Sequence, residues 1–504
     1  MKHHDLCVIG AGPAGYAAAM HAAQLGCDVL LIERTELGGA GLRHGALSSK
    51  VMWEIAQEYY DAHDHARRFA LPAGQIAFSD IQRQVEDAIT TARQQWQTGL
   101  QYQNNPLKTP TQAHSQTHTP TQAHTHSPTH APAYLQGEAS FLDAHTLQVL
   151  LPDGSTTHIH ADHIILATGS RPRTLPDIHI DEQVILSSDG IAGLTDFPES
   201  MVILGAGVIG CEFATIFALL GRTKVYLIDK AARILPFEDA DLAAVVQRNL
   251  ESQGAHIHKG ANLVSMQAQD GRVHYRLKFA DGHQEDFQAE KALVAVGRVP
   301  NVEDLGLAQI GVACTPRGHV QDLAGDTRTC LPHICAVGDL TSDIALVNIA
   351  ELEGRHAVEL LLGRTSAPLS YADISTIMFL HPEVAGVGLS EQDAQKLGIP
   401  YRAASIDYTV IPRAIAMRSN EGFIKLLADP ITGKLLGMRA VGAHASSVLQ
   451  AASLMIRNGI PVADLAALMH PHPSITEGVQ ECARALVGDP IRPGPWLRVW
   501  EWRP

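Results

Sequence analysis

The chain is predicted to be an α/β protein built on two Rossmann-like, three-layer nucleotide-binding domains, and three observations carry that expectation. An apolar strand, a G-x-G-x-x-G turn, a small-residue helix and a second apolar strand ending in an acid follow one another within residues 5–33. The same succession returns within residues 201–229. Short apolar strands that run into glycine at residues 164–172 and 292–301 bracket the second succession, and a further one at 333–340 ends in Gly338 and Asp339.

The first turn carries Gly10, Gly12 and Gly15, and its second strand ends in Glu33. Gly10 permits the tight turn, Gly12 lets backbone approach a pyrophosphate, and Gly15 lets the helix pack on the strand. The helix N-terminus then faces the phosphates and the acid bonds a ribose hydroxyl. The second turn carries Gly205, Gly207 and Gly210, and its second strand ends in Asp229. An acid there favours an unphosphorylated ribose, so NAD is expected over NADP. Lys230 and Arg233 lie close in sequence and read as a solvated surface pair or as groups that blunt that preference. Two such units imply two dinucleotides, one a tightly held flavin and the other a diffusible nicotinamide, and hence hydride transfer between rings that the protein orients.

Composition narrows the class. A chain of 504 residues is long enough for about three domains. Its net charge of -15 disfavours a nucleic-acid partner, which needs a basic surface. No apolar run reaches the roughly 18 residues of a membrane span, and the glycine-interrupted start reads as strand, turn and helix rather than a signal peptide. Seven scattered cysteines fit reduced thiols and a cytoplasmic setting.

Further segments make the assignment specific. "IILATGSRP" holds Thr168 and Gly169, "ALVAVGRVPN" holds Gly297, and "HICAVGDL" ends in Gly338 and Asp339; "HPEVAGVGLSE" and "HPHPSITE" follow. With both fingerprints, these make the chain resemble the class I pyridine nucleotide–disulfide oxidoreductases, and within them the dihydrolipoamide dehydrogenases most, with soluble transhydrogenases and mercuric reductases as relatives. The resemblance implies an FAD-binding domain split over residues 1–170 and 297–367, an NAD-binding domain at 171–296, and a C-terminal α+β dimerisation domain at 368–504 that makes a homodimer. It implies that Glu33 holds the FAD adenosine ribose, Asp339 the ribityl chain, and Lys50 lies near flavin N5 paired with Glu212. Gly38, Gly39, Thr168, Gly169, Gly297 and Gly338 join the cofactor-contacting set.

The loop "LGGAGLRHGALSSK" departs from that family. There the pattern G-G-T-C-x-N-x-G-C-x-P-S-K supplies a redox-active disulfide against the flavin. Here, without a gap, Gly41 and Ala46 stand at the two cysteine positions, and Ala40, Arg43 and Ser48 replace the threonine, asparagine and proline. Disulfide exchange needs a thiolate and a sulfur leaving group, and glycine and alanine offer neither. Among the remaining thiols, Cys330 and Cys335 share the family's spacing, but Cys335 falls in an apolar strand; Cys211 reads as helix packing and Cys482 as a structural thiol. Arg43 and His44 read as a solvated loop edge, or as groups attracting an anionic acceptor or stabilising reduced flavin. Ser48 and Ser49 read as caps of a helix beginning near Lys50.

By the same resemblance, His472 and Glu477 match the family's acid/base and its orienting carboxylate. Without thiols they read equally as dimer-interface packing. His470 and His472 lack a third ligand, and no metal site is assigned. Residues 105–133 are a Thr-, Pro- and His-rich insertion in which His114, His118, His124, His126 and His130 either chelate a metal loosely or decorate a disordered surface loop. Trp496, Trp500 and Trp502 read as a cover on apolar dimer surface or a lid. The expected activity is an FAD-dependent NAD(P)H oxidoreductase that passes electrons to a small-molecule, non-disulfide acceptor: a quinone, a dye or a second nicotinamide. The alternatives are a non-catalytic FAD/NAD-binding paralogue, which would fit docking to a lipoyl-bearing complex, and a dihydrolipoamide dehydrogenase working without the disulfide.

Overall fold

The computed structural model describes residues 2–72, 74–102, 131–323, 326–342 and 344–504. The expectations for the five insertion histidines lie outside the described residues. The chain divides into two compact units. One holds Met1–Val51, Arg83–Arg173 and Arg298–Leu369; the other holds Met52–Gln82, Thr174–Gly297 and Ser370–Pro504.

The first unit is built on a seven-stranded sheet. Val29–Glu33 is buried at every residue, as a strand covered on both faces must be. It pairs in parallel with Lys2–Ile9, which pairs in parallel with Thr156–Leu166. The C-terminal part of that long strand also takes Ile334–Ala336 in parallel, while its N-terminal part begins an antiparallel run through Thr146–Leu150 to Glu138–Phe141. Helix Pro13–Gln24 opens with proline at its first turn, where no amide donor is lost, and buries a face of alanines. Those small residues let helix Val347–Leu361 come close: a Cβ on Gly354 would sit 2.3 Å from the Ala14 carbonyl oxygen. Ser170–Pro172 pairs antiparallel with Arg298–Pro300, so the chain leaves and re-enters this unit on neighbouring strands.

The second unit contains a five-stranded parallel sheet in the order His256–Lys259, Lys224–Asp229, Ser200–Leu204, Lys291–Val294, Ile185–Ser187. Helix Val208–Leu220 is almost wholly buried and stops at Gly221, whose φ of 63° closes a left-handed cap. A six-stranded antiparallel sheet follows, in the order Ser375–Met378, Val384–Gly388, Leu435–Val441, Phe423–Ala428, Tyr401–Asp407, Leu497–Trp502. Val479, Cys482 and Leu486 of helix Thr476–Val487 share one apolar core with Ile406, Ile424 and Leu426 of that sheet. The tryptophan-rich tail is therefore a sheet strand. Trp502 stacks on Tyr401 at 5.8 Å and the Trp500 indole donates to Glu391 at 2.8 Å.

One buried cation ties the six-stranded sheet to the starts of helices Ala240–Ser252 and Glu391–Lys396. The Lys425 ammonium, fully buried, lies 2.8 Å from Asp239, 2.9 Å from Asp241 and 2.7 Å from Glu391. Burial works against its charge, but the three carboxylates outweigh that and raise its pKa. Asp239, in turn, is pushed up by burial but held below its ordinary value chiefly by Lys425. Its contribution to stability is therefore present above the unfolded aspartate value of about 3.9 and lost as pH falls through the lower folded value. Lys425→Met should cost about 3–5 kcal/mol at neutral pH, because it leaves Asp239 buried without its cation. Urea melts of both proteins should show the difference shrinking below about pH 4; a small, pH-independent loss would contradict this account.

Candidate active site

In both units, an acid at the end of the second strand grips the glycine turn. Glu33 accepts the Ala11 amide at 2.8 Å, and its other oxygen accepts the Thr35 amide at 2.9 Å and hydroxyl at 3.0 Å. Asp229 accepts the amides of Ala206 and Ala231, each at 2.7 Å. A carboxylate has about four lone-pair sites, so acceptor capacity remains for ribose hydroxyls. The glycines behave as their spacing demands. A Cβ on Gly10 would lie 2.3 Å from the Ala167 carbonyl oxygen, and one on Gly205 2.5 Å from that of Ala295. Gly12 and Gly207 face open space where Gly15 and Gly210 are tightly packed. Each turn thus presents an uncluttered helix N-terminus, and the residues fit a dinucleotide pyrophosphate in both units.

Arg233 is no solvated surface group. Its guanidinium donates to the backbone oxygens of Leu235, Pro236 and Glu238 and to the Gln392 side chain. It is committed to bracing its own loop, whereas Lys230, next to Asp229, is exposed.

The first unit adds groups that the sequence did not single out. Asp339 accepts the Ser170 hydroxyl at 2.6 Å, and Ser170 accepts from Arg298 at 2.8 Å. Thr168 and Asn301 bond reciprocally, at 2.6 and 2.9 Å, beside Gly169. The Gly338 amide donates to buried Glu353 at 2.6 Å. Gly297 lies in the second unit, one residue before the re-entry strand Arg298–Pro300.

The loop that follows Gly38 and Gly39 makes a π-helical turn at Ala40–His44 and continues directly into helix Ala46–Phe69. The helix therefore begins before Lys50. Ser48 and Ser49 lie inside it rather than capping it, and the Ser49 hydroxyl donates back to the Gly45 carbonyl at 2.7 Å. Lys50 donates to Ser49 at 3.2 Å. A Cβ on Gly41 would meet the Pro13 ring at 2.4 Å and Val347 at 3.8 Å. Arg43 is not a free cation: it bonds Glu36 at 2.9 and 3.1 Å, and Arg93 pairs with the same carboxylate. His44 is exposed.

All seven cysteines are free thiols. Burial drives the pKa values of Cys7, Cys211 and Cys482 far up and that of Cys335 to about 12, so none of these four is a thiolate at neutral pH.

In the second unit, Glu212 is buried and accepts the Phe379 amide at 3.0 Å. His472 and Glu477 are brought together: Nδ1 lies 3.0 Å from the carboxylate, which also accepts the Ser474 amide at 3.0 Å and Arg492 at 3.4 Å. Burial opposes ionisation of Glu477, but those donors prevail and hold its carboxyl below the usual range. The His472 side chain is 68% exposed, so an oriented imidazole projects outward.

A family profile described as pyridine nucleotide-disulphide oxidoreductase matches residues 4–354, and one described as the dimerisation domain of the same family matches residues 374–483. The dihydrolipoyl dehydrogenase of Geobacillus stearothermophilus is 32% identical over 489 residues, 97% of each chain. The mitochondrial dihydrolipoyl dehydrogenase of Schizosaccharomyces pombe is 31% identical, over 96% of this chain and 89% of its own. Among solved structures, LpdA from Mycobacterium tuberculosis shares the fold with a TM-score of 0.84 at 24% identity, over 96% of this chain and 100% of its own.

Because Pro13 fills the space beside Gly41, Gly41→Ala should overpack the loop. The expected cost is about 1–3 kcal/mol, read as a lower melting temperature together with faster loss of bound flavin. Unchanged melting and retention would remove that contact as a constraint.

Proposed function

Since the chain belongs to the pyridine nucleotide-disulphide oxidoreductases and carries their FAD- and NAD-binding and dimerisation domains, we propose that it oxidises NADH and passes the electrons to an acceptor that is not a disulfide. One observation carries this reading. The positions of the family's two sulfurs are Gly41 and Ala46, and no two described cysteines are paired. FAD, when bound, supplies the electron relay between nicotinamide and acceptor.

The chain's own residues then divide the work. Gly10, Gly12 and Gly15 admit the flavin dinucleotide pyrophosphate to a helix N-terminus, and Glu33 and Asp339 hold its sugar hydroxyls. Gly205, Gly207, Gly210 and Asp229 do the same for NADH, and the commitment of Arg233 elsewhere favours NADH over NADPH. By the family resemblance, Lys50 and Glu212 are each assigned a role at the reacting rings.

The surroundings of the former sulfur positions support a neutral, planar acceptor of the quinone type. The side chains beside Gly41, Pro13 and Val347, are apolar, and Arg43 is engaged with Glu36 rather than free to hold an anion. His472, held by Glu477, is the group from which an acceptor would take its proton. Its exposure fits a role across the interface of a homodimer.

Anaerobic NADH titration should bleach the flavin fully after one equivalent, with no thiolate charge-transfer absorption. Absence of bleaching would overturn the proposal and favour a non-catalytic binding protein. Separately, His472→Gln should leave bleaching by NADH intact while slowing quinone reduction roughly 10²-fold, the usual weight of general acid/base assistance. Equal losses in both half-reactions would assign His472 to packing instead.

A further inference from the structure

Far from the glycine turn, the first unit gathers imidazoles at the start of its sheet. His3 and His160 are register partners on the parallel strands Lys2–Ile9 and Thr156–Leu166. Asp162 stands two residues beyond His160 and so points to the same face. His3 Nε2 lies 3.0 Å from Asp162 Oδ1, and the His3 and His160 rings are 5.5 Å apart. One ligand atom from each of His3, His160 and Asp162 falls within 4.8 Å of the other two.

We infer that His3, His160 and Asp162 form a surface site for a divalent transition ion of the zinc class, which fastens the start of the first strand to its neighbour. Tetrahedral zinc with nitrogen and oxygen ligands at 2.0–2.1 Å needs donor atoms roughly 3.3 Å apart. The present spacing reaches that by small side-chain rotations, without movement of the strands. Two imidazoles and one carboxylate suit zinc or copper(II) and not magnesium, which takes oxygen ligands. His3 and Asp162 are more than half exposed, so an ion can enter and water can complete its shell.

As a bare ion pair, His3 and Asp162 would contribute little, because solvent screens them. His145 flanks the site, its ring 5.8 Å from His160 and stacked at 4.0 Å on His333. His145 Nδ1 bonds the Ala161 carbonyl at 2.9 Å, and so steadies the strand between His160 and Asp162. The site is separate from the redox chemistry. His3 precedes Gly10 by seven residues of strand, about 23 Å at 3.3 Å per residue.

The test is hydrogen exchange of the full-length, FAD-loaded protein, stripped with chelator and then titrated with zinc(II) alone. At a zinc concentration about a hundredfold above Kd, opening that breaks the site should slow by about 100-fold, seen in peptides covering residues 2–9 and 156–166. His160→Ala should abolish that protection, and Asp162→Asn should weaken zinc binding by about tenfold or more. His160→Gln serves as a second variant of similar bulk. Protection confined to other peptides, those of residues 105–133 included, would overturn the inference. So would equal protection in the wild type and both His160 variants.

Discussion

The carbonyl oxygen of Gly10 occupies the place where a Cβ on Gly15 would stand, at 1.8 Å, and Gly205 and Gly210 repeat that relation at the same distance. This contact brings the end of a strand against the start of a helix in each unit. Everything assigned to nucleotide binding follows from it. The helix N-terminus can point at a phosphate only because the backbone turns that sharply. The acid twenty-odd residues on then holds the turn by an amide hydrogen bond, 2.8 Å at Ala11 and 2.7 Å at Ala206. The two turns are alike in their glycines, acid and amide, although they lie in different units of the chain.

Against that fixed frame, the loop at residues 38–46 is where this chain departs from its family. Loss of both sulfurs removes the dithiol, but the loop has not been left as an open gap. Pro13 packs where a side chain at position 41 would project, and Glu36 takes up both Arg43 and Arg93. π-helical turns often occur at functional sites, where the extra residue redirects the side chains that follow. Here the turn at Ala40–His44 precedes the helix that carries Lys50. That helix keeps Lys50 close after the loop, although neither cysteine of the family pattern is present.

The parts legible in the sequence are those whose spacing is set by local geometry. A turn that needs glycine at its first, third and sixth positions, with an acid one strand later, shows itself within thirty residues. The supports of Asp339 did not, because Ser170 and Arg298 are separated from it or from each other by more than a hundred residues and carry no motif. Glu353 likewise caps the Gly338 amide from within an ordinary amphipathic helix. Ser48 and Ser49 looked like caps because small polar residues favour that role, but the helix begins earlier and Ser49 bonds back to Gly45 instead. The tail carried a usable signal that composition hid. In Leu497–Trp502 the β-branched Val499 and the aromatic Trp500 and Trp502 favour a strand, while three nearby tryptophans drew attention to surface cover.

The short antiparallel pair Ser170–Pro172 and Arg298–Pro300 has a consequence for how such a protein can change. Both ends of the intervening stretch are fixed side by side, and Arg171 reinforces the join through Glu303 at 2.8 and 3.0 Å. The entropy of closing a chain segment grows only with the logarithm of its length. Residues between those ends can therefore vary in length with little effect on that join, provided Asp239 and Asp241 remain for Lys425. Drift in nicotinamide preference and drift in the flavin cradle are then open to separate selection.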